Sequence, residues 1–490
     1  MISSPLRLAL ASLLLTPMLV GCNSKDQRAQ VAAAQAETQF QQGQYQAALQ
    51  SIQTALGARD DVSDYWLLAA RIYLATQDYA NAFSAYQNVY QMDRGNIEAL
   101  RQLCQLGLNV QQPDLVDSYA DQLLLLNPSD PLPTIMKGGA ALQRADSAGA
   151  LRFAEKVLAA NPSDLNALIL KGQILAFKGE DLAAARLIEP TLGSGGDPTA
   201  RLELLLRIYK KSGDQRAYER VLRMRAQGKP GDRQAQLDWA DWLYQKSRPA
   251  DGLRVVEQLM KRRAHDTSLS SAIVELWLDA GAHALSPAQI LNGKSFSVEM
   301  KAAFARYANE TGQPDLAIAL LKDDRALTTP SPASGDALAS LGYALSLRGK
   351  QADARKILQD VLQRDAGQPL ALLSRARLRL GQGDLPGALA DSRKVVADNP
   401  LNPTARLLLS TILLRQREDI LAENSLREGL RANPEGIRLA TQLASILAHS
   451  GRQSEAQSVV RDFGRAAPIS PRALQLMSQY QVKLQPSPVT

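Results

Sequence analysis

Few side chains in this 490-residue sequence are of types that do chemistry, and they are scattered. His265, His283 and His449 are the candidates for metal binding or proton transfer. They fall in different parts of the chain and make neither an HExxH pattern nor a paired ligand spacing, so they read as surface imidazoles. The stretch "GSGGDP" at Gly193 to Pro198 has the glycines of a phosphate loop without its closing lysine and hydroxyl pair, and reads as a joint. Asp60-Asp61 and Asp323-Asp324 fall where turns are expected, and solvation explains them without acid–base catalysis. No catalytic constellation and no metal site emerge, so no enzyme, no cofactor and no small-molecule substrate are expected. One residue stands apart. Cys22 lies directly behind an apolar run, and its thiol is the one group there able to become a thioether.

The run before Cys22 has the layout of a targeting segment. Arg7 supplies a positive charge, and Leu8 to Val20 are mostly apolar but broken by Ser12, Thr16 and Pro17. That is too short and too interrupted for a membrane span. The run ends in Leu19-Val20-Gly21-Cys22, which resembles a bacterial lipobox; the other reading is an ordinary secretory signal whose cleavage site includes a cysteine. The lipobox implies cleavage before Cys22 and a covalent diacylglycerol and N-acyl lipid on it. Each buried CH₂ contributes about 0.8 kcal/mol, so several chains make a durable anchor. Asn23 follows where an inner-membrane lipoprotein often carries aspartate, which favours the outer membrane, facing the periplasm.

With Cys22 lipidated, Cys104 has no partner for an intramolecular disulfide, so the fold must stand on its core. The formal charge of +7 becomes +6 once Arg7 leaves, 55 Lys and Arg against 49 Asp and Glu. Spread over the chain this is mild, and beyond "KRR" at Lys261 to Arg263 there is no dense basic run, so nucleic acid is not an expected partner. Apolar residues make up 45% and aromatics 5%, with alanine and leucine plentiful, a mix that favours helix.

The rest of the chain repeats with a period of 34. Gly43, Gln77, Gln111, Ala145, Gly179, Gly213, Ser247 and Gly281 keep that interval, and Gly349, Gly383, Arg417 and Gly451 resume it. Five residues after each comes a mostly small residue, as at Ala48, Ala82, Ala150 and Ala388. Seven before comes another, as at Ala36, Ala70, Cys104, Gly138 and Ala376. Cys104 therefore belongs to a packing row. Asn-Pro recurs at 127–128, 161–162, 399–400 and 433–434. Two helices of about four turns and two short turns use about 34 residues. The turn row suits the left-handed residue that ends a first helix, the small rows let two helices approach, and proline stops the second.

This pattern is similar to that of the tetratricopeptide repeat family over nearly all of the chain beyond Cys22. The resemblance implies an all-α fold, a right-handed solenoid of about 13 helix–turn–helix units from Ala29 to about Ser470. The phase slips between Gly281, Gly312 and Gly349, so residues 267–334 are expected to be a distorted, repeat-like segment. The expected layout is a signal peptide at 1–21, a lipidated tether at 22–28, and arrays at 29–266 and 335–470. A capping helix and loose tail at 471–490 complete it.

In this family the inner wall is lined by the first helix of each unit. Carried onto this chain, the wall positions are Arg71, Leu74, Arg101, Gln105, Gln173, Arg207, Lys210, Asp241, Tyr244, Tyr343, Arg377 and Thr411. Arginine is frequent among them, which suits extended, partly acidic protein segments. No unit carries the lysine and asparagine of the family's peptide clamp, so chaperone-tail binding is not carried over. The expected function is a membrane-anchored periplasmic scaffold for an envelope complex. Its layout is similar to repeat lipoproteins that accompany exopolysaccharide and exosortase systems. Pilus or secretin assembly, outer-membrane protein insertion, and peptidoglycan or polysaccharide binding are the alternatives. A sugar binder would show a row of exposed aromatics, and only Tyr244 and Tyr343 qualify.

Overall fold

The structure is a computed structural model that describes residues 25–263, 266–282, 284–328 and 331–483. The expected signal segment, Cys22, His265, His283 and the last seven residues lie outside them. Among the described residues there are 27 α-helices, three short 3-10 turns and no strand. The helices pair into thirteen hairpins in chain order, numbered here as repeats one to thirteen, each with a helix A and then a helix B; a single helix, Pro471–Gln479, follows. The first described helix, Lys25–Gln41, includes the Ala29 where the repeat register begins. Contacts divide the chain between Leu187 and Ile188. The N-terminal unit holds repeats one to five; the C-terminal unit holds repeats six to thirteen and the closing helix.

One local device makes most hairpins. In repeat two, helix A is Ser63–Ala75 and helix B is Tyr79–Met92. Between them Gln77 takes φ of 62°, the Gln77 N–H donates to the Leu74 carbonyl at 3.0 Å and the Asp78 N–H to Tyr73 at 2.9 Å. This pair of bonds closes helix A, and Asp78 then caps helix B by accepting from the Asn81 N–H. Asp146, Asp214 and Asp384 do the same at repeats four, six and eleven. Positive φ recurs at every residue of the turn row, whether or not it is glycine: Gln111, Ala145, Ser247 and Arg417 adopt it as Gly43 and Gly383 do. A left-handed L-residue costs roughly 1–2 kcal/mol, partly offset by glycine's greater freedom when unfolded. Ala145 is exposed there at φ 61°. Ala145→Gly is therefore expected to stabilise the N-terminal unit by about 0.5–1 kcal/mol. A urea midpoint that fails to rise would refute it.

The small rows sit where helices cross. Ala36, Ala48, Ala70, Ala82, Cys104, Ala150, Ala376 and Ala388 are all fully buried. At Gly138 even a methyl group is too large, since a Cβ would lie 2.4 Å from Leu170 Cδ2. Ile52, Ile72, Leu100, Leu103 and Ile174 fill the space between, each contributing about 1.5–3 kcal/mol by burial. At the helix B ends, Asn161, Asn399 and Asn433 accept from the N–H two residues on, and the following proline cannot continue the helix.

Three hairpins depart from this. In repeat five, Pro190 limits helix B to Asp181–Ile188, and a 3-10 turn Glu189–Gly193 follows. The buried Arg201 then donates to the carbonyls of Thr191, Ser194 and Gly195, tying down the "GSGGDP" joint. In repeat eight, Gly281 closes helix A at φ 90° and ψ −171°, a conformation open essentially to glycine alone, so the usual turn fails. Helix B starts only at Pro287 and shrinks to Pro287–Asn292. Repeat nine has a short helix B as well, Pro314–Leu321. Larger side chains fill the gap: Trp277 stacks on Phe304 with ring centroids 5.1 Å apart and meets Tyr307 edge-on at 5.9 Å.

Candidate functional site

The expected wall residues all lie on A helices, and their partners differ between the two units. In the N-terminal unit, Arg71 forks onto Glu98 of the next helix A, with Nε–Oε1 at 2.8 Å and Nη2–Oε2 at 2.5 Å. Both side chains keep about two-fifths of their surface exposed, and the bond to Arg71 holds the Glu98 carboxyl below its ordinary range. Arg101 makes the same step onto Asp130 at 2.6 Å, while Asp130 also caps helix Pro131–Gln143. Leu74 is half-buried against the core, Gln105 is exposed and Gln173 is half-buried.

In the C-terminal unit several wall residues bond across the array. Arg207 is exposed. Lys210, on helix Thr199–Ser212, pairs with Glu435 just before helix Ile437–His449. Asp241, on helix Arg233–Gln245, meets Arg472 of the closing helix at 2.9 Å. Tyr244 is buried, and its hydroxyl accepts from Trp277 Nε1 at 2.9 Å. Tyr343 lies under the Arg377 guanidinium at 4.9 Å, and Arg377 pairs with Glu310 at 2.6 Å. The Thr411 hydroxyl donates to the Leu407 carbonyl of its own helix.

Sequence reasoning missed Glu275 and its partners. Glu275, on helix Thr267–Ala280, pairs with both Arg306 and Arg438 and accepts from the Thr404 hydroxyl at 2.9 and 3.0 Å. Arg438 also donates from Nε to Asp279 at 2.6 Å. Burial pushes the Glu275 carboxyl up, but the two arginines outweigh it and hold it below its ordinary value. For Asp279 burial wins and the carboxyl is raised. The signal for Glu275 was in the phase: it lies six residues before Gly281, as Arg71 does before Gln77 and Arg207 before Gly213. Its neighbours follow a row thirteen before the turn, which holds Glu98, Asp336, Thr404 and Arg438.

Beside this cluster a cavity of about 290 Å³ opens among the A helices of repeats eight to eleven, lined by Ser271, Arg306, Asp336 and Gln368 among others. Burial pushes the Asp336 carboxyl up to about 6, against the pull of Arg306 and a hydrogen bond from Gln368.

Cys104 is fully buried, and burial, with Asp117 nearby, pushes its thiol up to about 12. Its thiolate population at pH 8 is then roughly 10⁻⁴, so iodoacetamide is expected to leave it unmodified in the folded chain and to modify it in urea. Labelling at the rate of free cysteine without denaturant would refute this. His449 is exposed, with Nδ1 2.7 Å from the Ser445 carbonyl. Among the described residues no three His, Cys, Asp or Glu side chains group as a metal site, and no helix is long and apolar enough to cross a membrane.

Residues 33–97 and 373–419 match the family model described as tetratricopeptide repeat. A tetratricopeptide repeat protein from Parabacteroides merdae aligns with 40% of this chain and 77% of its own at 16% identity, with a TM-score of 0.37. The Naa15/Naa10 complex bound to HypK-THB aligns with 93% of this chain and 73% of its own at 14% identity, TM-score 0.34. PilF of Pseudomonas aeruginosa aligns with 42% and 95% at 17% identity, TM-score 0.31. No curated protein sequence matches the chain. The two matched stretches fall on repeats one and two, ending at the first residue of repeat three, and on repeats eleven and twelve, so in these hairpins the chain is similar to the tetratricopeptide repeat family.

Proposed function

We propose that this chain is a lipid-anchored scaffold of the bacterial outer membrane, facing the periplasm and supporting assembly of an envelope complex such as an exopolysaccharide exporter. Cys22 carries the lipid, and the A-helix wall takes extended, partly acidic protein segments. The observation that carries the binding half is the exposed arginine ladder of repeats two and three. Arg71 is held by a half-exposed pair, worth only about 0–1 kcal/mol, while Arg101 is exposed and its partner Asp130 is mostly buried as a helix cap. A partner carboxylate can replace Glu98 at little cost or join Asp130 on the exposed side of Arg101, and the Arg71 fork arrives pre-ordered. Tyr244 is in the core and Tyr343 lies under Arg377, which supports a protein partner over a sugar.

The anchor is tested by Cys22→Ser in the full chain, which should move the protein from the membrane fraction to the soluble one and end incorporation of labelled fatty acid. Retention at the membrane would refute it. Alanine at Arg71, Arg101, Arg207 and Arg377 together should abolish capture of partners from solubilised membranes, and unchanged capture would discard the groove. Recovery of a polysaccharide exporter, a secretin or the outer-membrane insertion machinery with the unaltered chain would separate the three machines.

A further inference from the structure

Within the C-terminal unit, the A helices of repeats six to eight are met by the chain's own end. Arg438 reaches Asp279 at 2.6 Å and also pairs with Glu275, and Arg472 reaches Asp241 at 2.9 Å. Ser470 donates to Gln245 at 2.7 Å, and Lys210 pairs with Glu435. These partners stand 159 to 231 residues apart in sequence. Most of these bonds are made by side-chain tips, and Gln215 also donates to the Ile469 carbonyl at 3.2 Å. A cavity of about 110 Å³ remains between the two sides, beside Lys210, Asp241 and Glu435. Packed cores do not separate easily, but a contact made by polar tips around a gap can open while each side keeps its own core.

The charges are sorted as well. On repeats seven and eight the carboxylates are Asp241, Glu275 and Asp279; the arriving groups are the guanidiniums of Arg438 and Arg472. Guanidinium is the cation that suits carboxylates at fixed spacing, through its planar fork of donors. We propose that the A-helix wall of repeats seven and eight is an arginine-accepting surface, kept occupied by Arg438 and Arg472 of the chain's own last repeat and closing helix. A partner segment bearing arginines at a similar spacing then enters when those two withdraw. The wall of repeats seven and eight thus selects basic segments, whereas the arginine ladder of repeats two and three selects acidic ones. The inference rests on the scaffold reading only in taking the occupant to be protein.

The test uses the full chain with Arg438→Ala and Arg472→Ala together, and an amidated peptide of alternating alanine and arginine as probe. The variant is expected to bind the peptide at least tenfold more tightly than the unaltered chain. Adding Glu275→Gln and Asp279→Asn should cancel that gain. Amide exchange in Ile437–His449 and Pro471–Gln479 should quicken several-fold, while Ile97–Asn109 in the other unit stays unchanged. Unaltered affinity and exchange would overturn the proposal, as would a general loss of helix, because a clasp that opens leaves its repeats folded. Quicker exchange with no gain in binding would overturn the arginine-accepting surface and leave the scaffold reading of the N-terminal unit standing.

Discussion

Trp277→Ala should lower the stability of the C-terminal unit by about 4 kcal/mol, the usual cost of deleting a fully buried indole. Among the described residues Trp277 is the largest fully buried side chain, with no exposed surface. It does the work that helix B does elsewhere. With the outer helix of repeat eight cut to Pro287–Asn292, its ring stacks on Phe304, meets Tyr307 edge-on and donates to the buried Tyr244 hydroxyl. Those contacts join helix A of repeats seven, eight and nine. The apolar core of repeat eight is shared with its neighbours in the stack, so losing that interface weakens repeats seven to nine more than the others.

The signature is therefore local. Amide exchange in Arg233–Gln245, Thr267–Ala280 and Val298–Glu310 should quicken by about a thousandfold, the equivalent of about 4 kcal/mol, while Ile97–Asn109 keeps its protection. Trp277→Phe keeps the stacking and loses the N–H donor, and should cost about 1–2 kcal/mol. A Trp277→Ala chain whose exchange matched the unaltered protein would show that repeat eight is held by something other than this ring.

What the sequence made legible follows from how local each cause is. The 34-residue phase is written in turn residues and small residues that act within one hairpin. It led to the helix pairs and to Cys104 as a packing group. The phase slip near Gly281 was visible, but its cause was not: one glycine at ψ −171° delays helix B, and no residue type announces that angle. The wall's partners were harder. Arg71 with Glu98 spans 27 residues and joins two rows, six and thirteen before the turn, the second of which keeps no residue type. Glu275 with Arg438 spans 163 residues, and pairing at that range depends on how the whole unit curves, which a hairpin's own sequence does not state. Tyr244 occupies a wall position by register, yet a tryptophan one repeat later draws its hydroxyl into the core.

The second large effect is tied to pH. Asp336 stands in the row thirteen before the turn, beside the cavity of repeats eight to eleven, where burial raises its carboxyl from an ordinary 3.8 to about 6 although Gln368 donates to it and Arg306 is near. A carboxyl whose pKa is higher folded than unfolded binds its proton more tightly in the native state. Its contribution is thus most favourable below about pH 4 and is lost as pH rises to 6, leaving a deficit of up to about 3 kcal/mol at neutral pH. Asp336→Asn keeps an oxygen to accept from Gln368 and carries no charge at any pH. It is expected to raise the stability of the C-terminal unit at pH 7.5 by about 2 kcal/mol and to change it little at pH 4. Other carboxylates titrate across the same range, so the measurement is the difference between the two chains in urea unfolding at each pH. A difference that stays constant between pH 4 and 7.5 would mean that Asp336 is as well solvated folded as unfolded. A variant less stable at pH 7.5 than the unaltered chain would mean that the attraction between Asp336 and Arg306 outweighs the burial of the carboxylate.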